Sequence, residues 1–308
     1  MDKLISIVGP TASGKSGLAI DIAKELNTEI ISLDSMQIYK YMDIGTAKIT
    51  KEEMQDIKHH MIDMVDPSEE YSAALFCEQV KPIISKINQE GKIPVSVGGT
   101  GLYLNSLLYG FSFAHTDKSE DIRKSHKIFY EQFGGEKFLN KLRDIDPKSA
   151  ENLHANDYKR ISRALEIYEL TGIPKSELNE KDDKVCKYNS IIFGIDVPRE
   201  ELYNRINLRV DEMVNSGLVD EVKGLLAKGY SKNLQAMQAI GYKEVIEHLE
   251  GTLSYEEMIY KIKLNTRHYA KRQLTWFRKN KDIVWLNYST KENMLNSALK
   301  YIKERLYE

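Results

Sequence analysis

LISIV (residues 4–8) runs directly into GPTASGKS (9–16), and an amphipathic stretch follows to Leu26. A short apolar run, a glycine-bounded loop closing on Lys-Ser and a helix-patterned segment make the strand–loop–helix context in which this pattern binds phosphate. Glycines let backbone N–H groups turn inward around an anion, and the helix N-terminus adds partial positive charge. Lys15 brings a cation to the outer phosphates, and the Ser16 hydroxyl suits a Mg²⁺ ligand. Gly9, Pro10, Thr11, Ala12, Ser13, Gly14, Lys15 and Ser16 are therefore read as a diphosphate- or nucleotide-binding loop. The plain alternative is a glycine-containing turn with an incidental lysine, and the flanking pattern argues against it.

Outward from this loop, EIISL (29–33) reads as a second apolar strand ending at Asp34, and IPVSVGGTG (93–101) as a third, preceded by a helical run over 72–90. Strands alternating with helices imply a parallel α/β sheet with crossover connections. In such sheets ligands sit outside the carboxyl ends of the strands, where Gly9, Asp34 and Gly98 fall. From Asp117 to about Lys187 the sequence is charged and helix-patterned, which predicts a helical insertion over 117–187 between core segments 1–116 and 188–308. NSIIFGIDV (189–197) returns to the strand pattern. The remainder reads as helical up to VWLN (284–287), a final strand.

At 308 residues, with 42% hydrophobic and 29% charged residues, the chain has the composition of an ordered globular protein. No segment reads as a signal peptide or a membrane span, and the two cysteines, Cys77 and Cys186, form no metal-like spacing. A cytoplasmic protein without structural zinc is expected. Net charge is −2, yet residues 261–281 carry Lys261, Lys263, Arg267, Lys271, Arg272, Arg278, Lys279 and Lys281 with no Asp or Glu among them. A local excess of that kind attracts phosphates while the rest of the surface stays acidic. His59 and His60 lack a third ligand and read as structural, positioning Asp63 or the loop after it.

Energy-transducing phosphate loops need a second acid at a strand end to hold Mg²⁺. The strand at 93–97 ends instead in Gly98-Gly99-Thr100-Gly101, and Asp34 is followed by Ser35-Met36-Gln37. Taken together, GPTASGKS, DSMQIYKYMDIGTAK (34–48), HHMIDMVDP (59–67), GGTGLYL (98–104), ANDYKRISRALEIYELTGIP (155–174), MQAIGYKE (237–244) and TRHYAKRQLTWFRK (266–279) resemble the bacterial tRNA dimethylallyltransferases, in order and spacing. The resemblance implies a P-loop NTPase-like parallel sheet core with a helical insertion domain. It also implies transfer of a dimethylallyl group from dimethylallyl diphosphate to N6 of adenosine 37, in tRNAs reading codons that begin with U. Diphosphate leaves and Mg²⁺ assists. The implied partners are the tRNA anticodon stem-loop and dimethylallyl diphosphate, with no membrane, and the chain is expected to act as a monomer.

Such a reaction must stabilise a departing diphosphate and take a proton from a weak amine nucleophile. Lys15, Ser16 with Mg²⁺ and the loop amides suit the first task, and the resemblance places Thr11 near the bridging oxygen. Asp34 suits the second; an N-cap or a Mg²⁺ second shell is its structural alternative. The resemblance makes Asp34, Ser35, Met36, Gln37 and Thr100 substrate-tRNA contacts, although a Gln37 amide can equally pin a loop and Thr100 can satisfy its own turn. Arg123 joins them, although Ala114-His115-Thr116-Asp117-Lys118 stands where the family has Asp-Pro ahead of this arginine. Lys159, Arg160 and Arg163 form a second basic group, with Glu166 and Glu169 near enough in sequence for salt bridging. Arg267, Lys271 and Arg278 recur at spacings of four and seven, with Arg272 and Gln273 beside them. That stripe reads as a phosphate-contacting surface or, more plainly, as a solvated face. Two rivals stay open: a small-molecule or nucleotide kinase holding ATP in the loop, and a non-enzymatic P-loop RNA-binding factor.

Overall fold

A computed structural model describes residues 1–110, 119–180 and 185–306. Contacts divide the chain into one unit of Met1–Leu107 with Lys187–Glu308 and a second of Leu108–Cys186. The expected boundary at 116–117 lies outside the described residues.

The first unit runs β1 (Lys3–Val8), α1 (Lys15–Glu25), β2 (Ile30–Ser32), α2 (Lys51–Met54), β3 (His59–His60), α3 (Ala73–Gln89), β4 (Val95–Gly98) and α4 (Gly101–Tyr109). The second holds α5 (Glu120–Ile145), α6 (Pro147–Glu151), α7 (Tyr158–Thr171) and α8 (Lys175–Glu180). The chain then returns through β5 (Asn189–Asp196), α9 (Arg199–Asn215), α10 (Leu218–Ala227), a 3₁₀ turn at Ala236–Gln238, α11 (Tyr242–Leu249), α12 (Tyr255–Phe277), β6 (Ile283–Asn287) and α13 (Lys291–Leu306).

Six parallel strands form one sheet in the order β3-β2-β4-β1-β5-β6. Its central strands are apolar on both faces, as a doubly covered parallel sheet requires. Ile5 and Ile7 of β1, Val95 and Val97 of β4, and Phe193 and Ile195 of β5 share a core with Leu18 and Ile22 of α1 and Ile302 of α13. Ser6 and Ser96 are register partners inside this core, and the Ser96 hydroxyl donates to the Ser6 oxygen at 2.8 Å. Two elements escape the sequence pattern. β3 is a two-residue edge strand, too short for an alternation to register, and a further helix, α13, follows the final strand β6.

The second unit has its own small core of Phe138, Leu139 and Leu142 from α5 and Ile161, Ala164 and Leu165 from α7. Beside it lies Glu166, whose side chain has no exposure. Arg123 donates from Nε to Oε1 at 2.8 Å and from Nη2 to Oε2 at 2.9 Å; Arg163 Nη1 donates to Oε2 at 2.7 Å, and the Ser119 N–H to Oε1 at 3.0 Å. His126 meets Glu169 Oε1 at 3.1 Å on the same helix pair.

Burial works to raise the Glu166 pKa, but the two guanidinium groups and the Ser119 amide hold it down to about 2 from 4.5. A depressed carboxylate pKa contributes stability that is fully present above 4.5 and is lost as pH falls toward 2. Discounting for the partly exposed arginines, that contribution is about 2 kcal/mol. Hydrogen exchange of α5 and α7 amides, corrected for intrinsic rates, is expected to show protection falling through this acid range. Glu166→Gln should remove most of the pH dependence, and an unchanged profile would mean that the clamp holds nothing.

Candidate functional site

At the carboxyl ends of β1, β2 and β4, the first unit encloses a cavity of about 650 Å³. Its walls include Lys15, Asp34, Gln37, Arg209, Tyr269 and Gln273. One end is the phosphate loop. Gly14 caps α1 at φ 87°, a backbone region that suits glycine, and Ala12 also lies at positive φ, 61°. The Pro10 carbonyl accepts from the Ser13 N–H at 3.3 Å and from Lys15 Nζ at 3.1 Å. Among the described residues the N–H groups of Ala12, Gly14, Lys15 and Ser16 find no backbone acceptor, which is the open donor set expected where a helix begins at an anion site.

Lys15 is half-buried. Burial and then repulsion from Arg209 lower its pKa to about 8, with the Asp34 carboxylate opposing. Arg209 comes from α9 and makes no ion pair or hydrogen bond among the described residues. Sequence reasoning did not single it out. Its only available signal was an arginine on the buried edge of an amphipathic helix, 194 positions from Lys15 in the numbering.

The other end is built around Asp34. Its Oδ1 accepts from the N–H groups of Met36 at 2.8 Å and Gln37 at 3.3 Å, the Asx-turn geometry that a residue of this type adopts after a strand. Oδ2 has no protein hydrogen bond among the described residues. The Thr100 hydroxyl oxygen accepts from the Ser35 N–H at 3.1 Å, which joins the loops after β2 and β4. Gln37 Nε2 donates to the carbonyls of Thr46 and Ala47 at 3.3 and 3.0 Å. Tyr269 stands beside Asp34, and burial together with that carboxylate pushes its hydroxyl up to about 12.

Gln273 couples the two ends. Its Oε1 accepts from the Thr11 N–H and its Nε2 donates to the Gly99 carbonyl, both at 3.0 Å, and the side chain is buried. A Cβ on Gly99 would lie 2.1 Å from Gln273 Nε2, and one on Gly101 would lie 2.2 Å from the Trp276 ring, so α12 reaches the GGTG turn only because these positions lack side chains. Ser16 is exposed at the cavity, and Asp34 lines the same space. The Ser16 hydroxyl, with substrate oxygens and water completing the set, is the kind of oxygen donor by which Mg²⁺ is usually held in phosphate sites. Among the described residues no three His, Cys, Asp or Glu side chains cluster as a metal site, and no helix is long and apolar enough to cross a membrane. His60 Nε2 instead lies 2.5 Å from Glu29 Oε2, and Asp63 receives Lys48.

The basic stretch 261–281 is less isolated than its composition suggests. Lys261 pairs with Glu247, Lys263 with Asp211 and Arg278 with Asp196, acids supplied by other elements that a linear scan of the segment does not see. Arg267 Nη1 donates to Asn207 Oδ1 at 2.7 Å. Lys271 and Arg272 are exposed; Lys271 has no ion pair among the described residues, and Arg272 lies over the Tyr269 ring. In the second unit Lys159 and Arg160 are exposed on α7, whereas Arg123 and Arg163 hold Glu166.

Family models described as IPP transferase and isopentenyl transferase match residues 37–280 and 2–69 respectively. A tRNA dimethylallyltransferase of Caldanaerobacter subterraneus subsp. tengcongensis is 48% identical over 99% of this chain and 98% of its own length. One from Bacillus cereus is 47% identical over 99% of this chain and 96% of its own. The crystal structure of a tRNA isopentenylpyrophosphate transferase from Bacillus halodurans superposes with a TM-score of 0.74 at 43% identity, covering 99% of this chain and 98% of that one. A eukaryotic dimethylallyltransferase acting on tRNA gives 0.82 at 33% identity, covering 98% of this chain and 78% of that one.

The lowered Lys15 pKa has a direct consequence for anion binding. Its charge is complete below about 8 and is lost as pH rises through that value, while a bound anion favours the protonated form. Titrating inorganic diphosphate calorimetrically with a chelator present, the affinity ratio of wild type to Lys15→Met should be flat below that pH. Above it the ratio should fall by up to about tenfold per pH unit. A ratio independent of pH would remove Lys15 from the anion site.

Proposed function

The chain belongs to the tRNA dimethylallyltransferase (IPP transferase) family, and on that premise we propose that it transfers a dimethylallyl group from dimethylallyl diphosphate to the N6 amine of adenosine 37 in tRNAs reading codons that begin with U. The observation that carries this reading is one cavity with open amide donors, Lys15 and Arg209 at one end and the Asp34 carboxylate at the other. The amine nitrogen attacks the allylic carbon, the carbon–oxygen bond to the diphosphate breaks, and the nitrogen's proton passes to Asp34 and on to solvent. Lys15, Arg209, Thr11 and the loop N–H groups neutralise charge that grows on the diphosphate as it leaves, an electrostatic contribution realised mostly in the transition state. Ser16, with phosphate oxygens and water, would hold Mg²⁺, which would supply further charge neutralisation on the phosphate oxygens.

Ser35, Met36, Gln37 and Thr100 face the adenosine in this reading. Arg267, Lys271, Arg272 and Arg278 on one unit, with Arg123, Lys159, Arg160 and Arg163 on the other, serve the tRNA backbone; Gln273, which the resemblance also puts there, is buried with its amide spent on Thr11 and Gly99. Exposed Lys271 and Arg272 are the strongest phosphate candidates, because no fixed acid competes for them. The chain acts as a monomer in the cytoplasm, where its RNA substrate is found.

Incubating the protein with Mg²⁺, labelled dimethylallyl diphosphate and unmodified tRNA should put label into RNA; ATP turnover without tRNA and no labelled RNA would instead support the kinase reading. Asp34→Ala is expected to keep tRNA binding and lose about 10²-fold or more in transfer rate; full transfer would remove it as the base. Lys271→Ala should weaken tRNA binding and make the dependence of log affinity on log salt shallower by about 0.7. An unaltered slope would move the tRNA surface elsewhere.

A further inference from the structure

Three consecutive amides of the DIGTAK segment converge on a single carboxylate supplied by α10. The N–H groups of Asp43 and Ile44 donate to Glu221 Oε2 at 2.8 and 2.7 Å, and the Gly45 N–H donates to Oε1 at 3.1 Å. The Tyr242 hydroxyl adds a fourth bond, to Oε1 at 2.5 Å. Glu221 has no ion pair among the described residues, so its charge is met by neutral donors alone. Tyr242 is fully buried, and burial followed by the Glu221 charge pushes its ionisation far up, which keeps the hydroxyl a donor. The packing is as tight as the hydrogen bonding. A Cβ on Gly45 would lie 2.4 Å from the Tyr242 ring and 2.9 Å from Leu218 Cδ1.

What Glu221 holds leads directly into the cavity. The carbonyls of Thr46 and Ala47, just beyond the clamped amides, receive the Gln37 amide. The Gln37 N–H in turn helps to bracket Asp34 Oδ1. Gly45, Thr46, Ala47, Gln37 and Asp34 all line the cavity, while Tyr242 does not. Lys48 closes the far side of the loop through Asp43 Oδ1, Asp63 Oδ1 and the Tyr39 carbonyl. Without its carboxylate, the loop would keep the Lys48 anchor and the two Gln37 bonds but would leave three amides to find water.

We propose that Glu221 is a positioning residue for the acceptor end of the site: it holds loop 43–47, and through that loop the Gln37 amide, in the place where the tRNA adenosine is received. This rests on the reading of Gln37 as facing that adenosine. The phosphate loop belongs to other elements, so diphosphate binding is expected to be independent of Glu221.

Steady-state transfer by the full chain, varying tRNA and dimethylallyl diphosphate separately, tests this in Glu221→Ala, Glu221→Gln and Tyr242→Phe. Glu221→Ala should lower kcat/KM for tRNA by about tenfold or more, while KM for dimethylallyl diphosphate stays within about twofold. Tyr242→Phe should move the same parameter by about threefold, with Glu221→Gln between the two. Adding Gln37→Ala to Glu221→Ala should cost little more, because both act through one loop. Equal loss toward both substrates, an unchanged kcat/KM for tRNA, or strict additivity with Gln37→Ala would overturn the proposal. Should Glu221→Ala not fold, Tyr242→Phe decides by the same parameter. Full transfer by Asp34→Ala would sink the base assignment alone, since it is read in kcat and leaves the tRNA parameter to judge Glu221.

Discussion

Where β1 stops and α1 begins, the backbone must leave several N–H groups without carbonyl partners, because no preceding turn of helix exists to accept them. Open donors beside a sheet core are costly unless water or an anion meets them. The loop is held in this shape from two sides. The Pro10 carbonyl takes both the Ser13 amide and the Lys15 ammonium, and Gln273 takes the Thr11 amide from across the cavity. The phosphate loop is therefore braced by α12, more than two hundred and fifty residues away. That brace is possible only because Gly99 and Gly101 let α12 approach the turn after β4.

Two cations set the character of the anion end. Lys15 and Arg209 repel one another, and burial penalises both. Neither has an acid at ion-pair distance among the described residues. An arrangement that disfavours its own charges when empty favours any dianion that enters, because binding then relieves the repulsion as well as adding attraction. The same logic distinguishes these cations from Arg123 and Arg163, which already share the buried Glu166 carboxylate and stabilise the α5–α7 pair.

The sequence was most informative where chemistry is local. The phosphate loop, the Asp34 turn and the alternation of strands with helices each depend on neighbouring residues, and each is legible in a dozen positions or fewer. It was least informative where a side chain acts across the fold. Arg209 and Glu221 sit on ordinary amphipathic helices and acquire their roles only when α9 and α10 pack against segments some 180 residues earlier. The stretch 261–281 shows the opposite error. It is free of acids along the chain, yet Glu247, Asp211 and Asp196 are brought to it by folding. Gln273 reads in sequence as a neighbour of a basic stripe, but its burial against Thr11 and Gly99 has no signature in spacing or charge.

These cross-fold contacts divide the cavity into two separately anchored ends. The anion end hangs on β1, α1 and α9, and the acceptor end on the turn after β2, loop 43–47 and α10. Gln273 is a single-side-chain, hydrogen-bonded bridge between them, joining Thr11 to the turn whose Thr100 holds Ser35. Group transfer needs the leaving group and the nucleophile held in line to within a fraction of an ångström, and a rigid link between independently fixed ends achieves that with few parts. A buried amide serves better than an ion pair in that position: it donates and accepts at once and adds no charge beside either the phosphate loop or the Asp34 carboxylate.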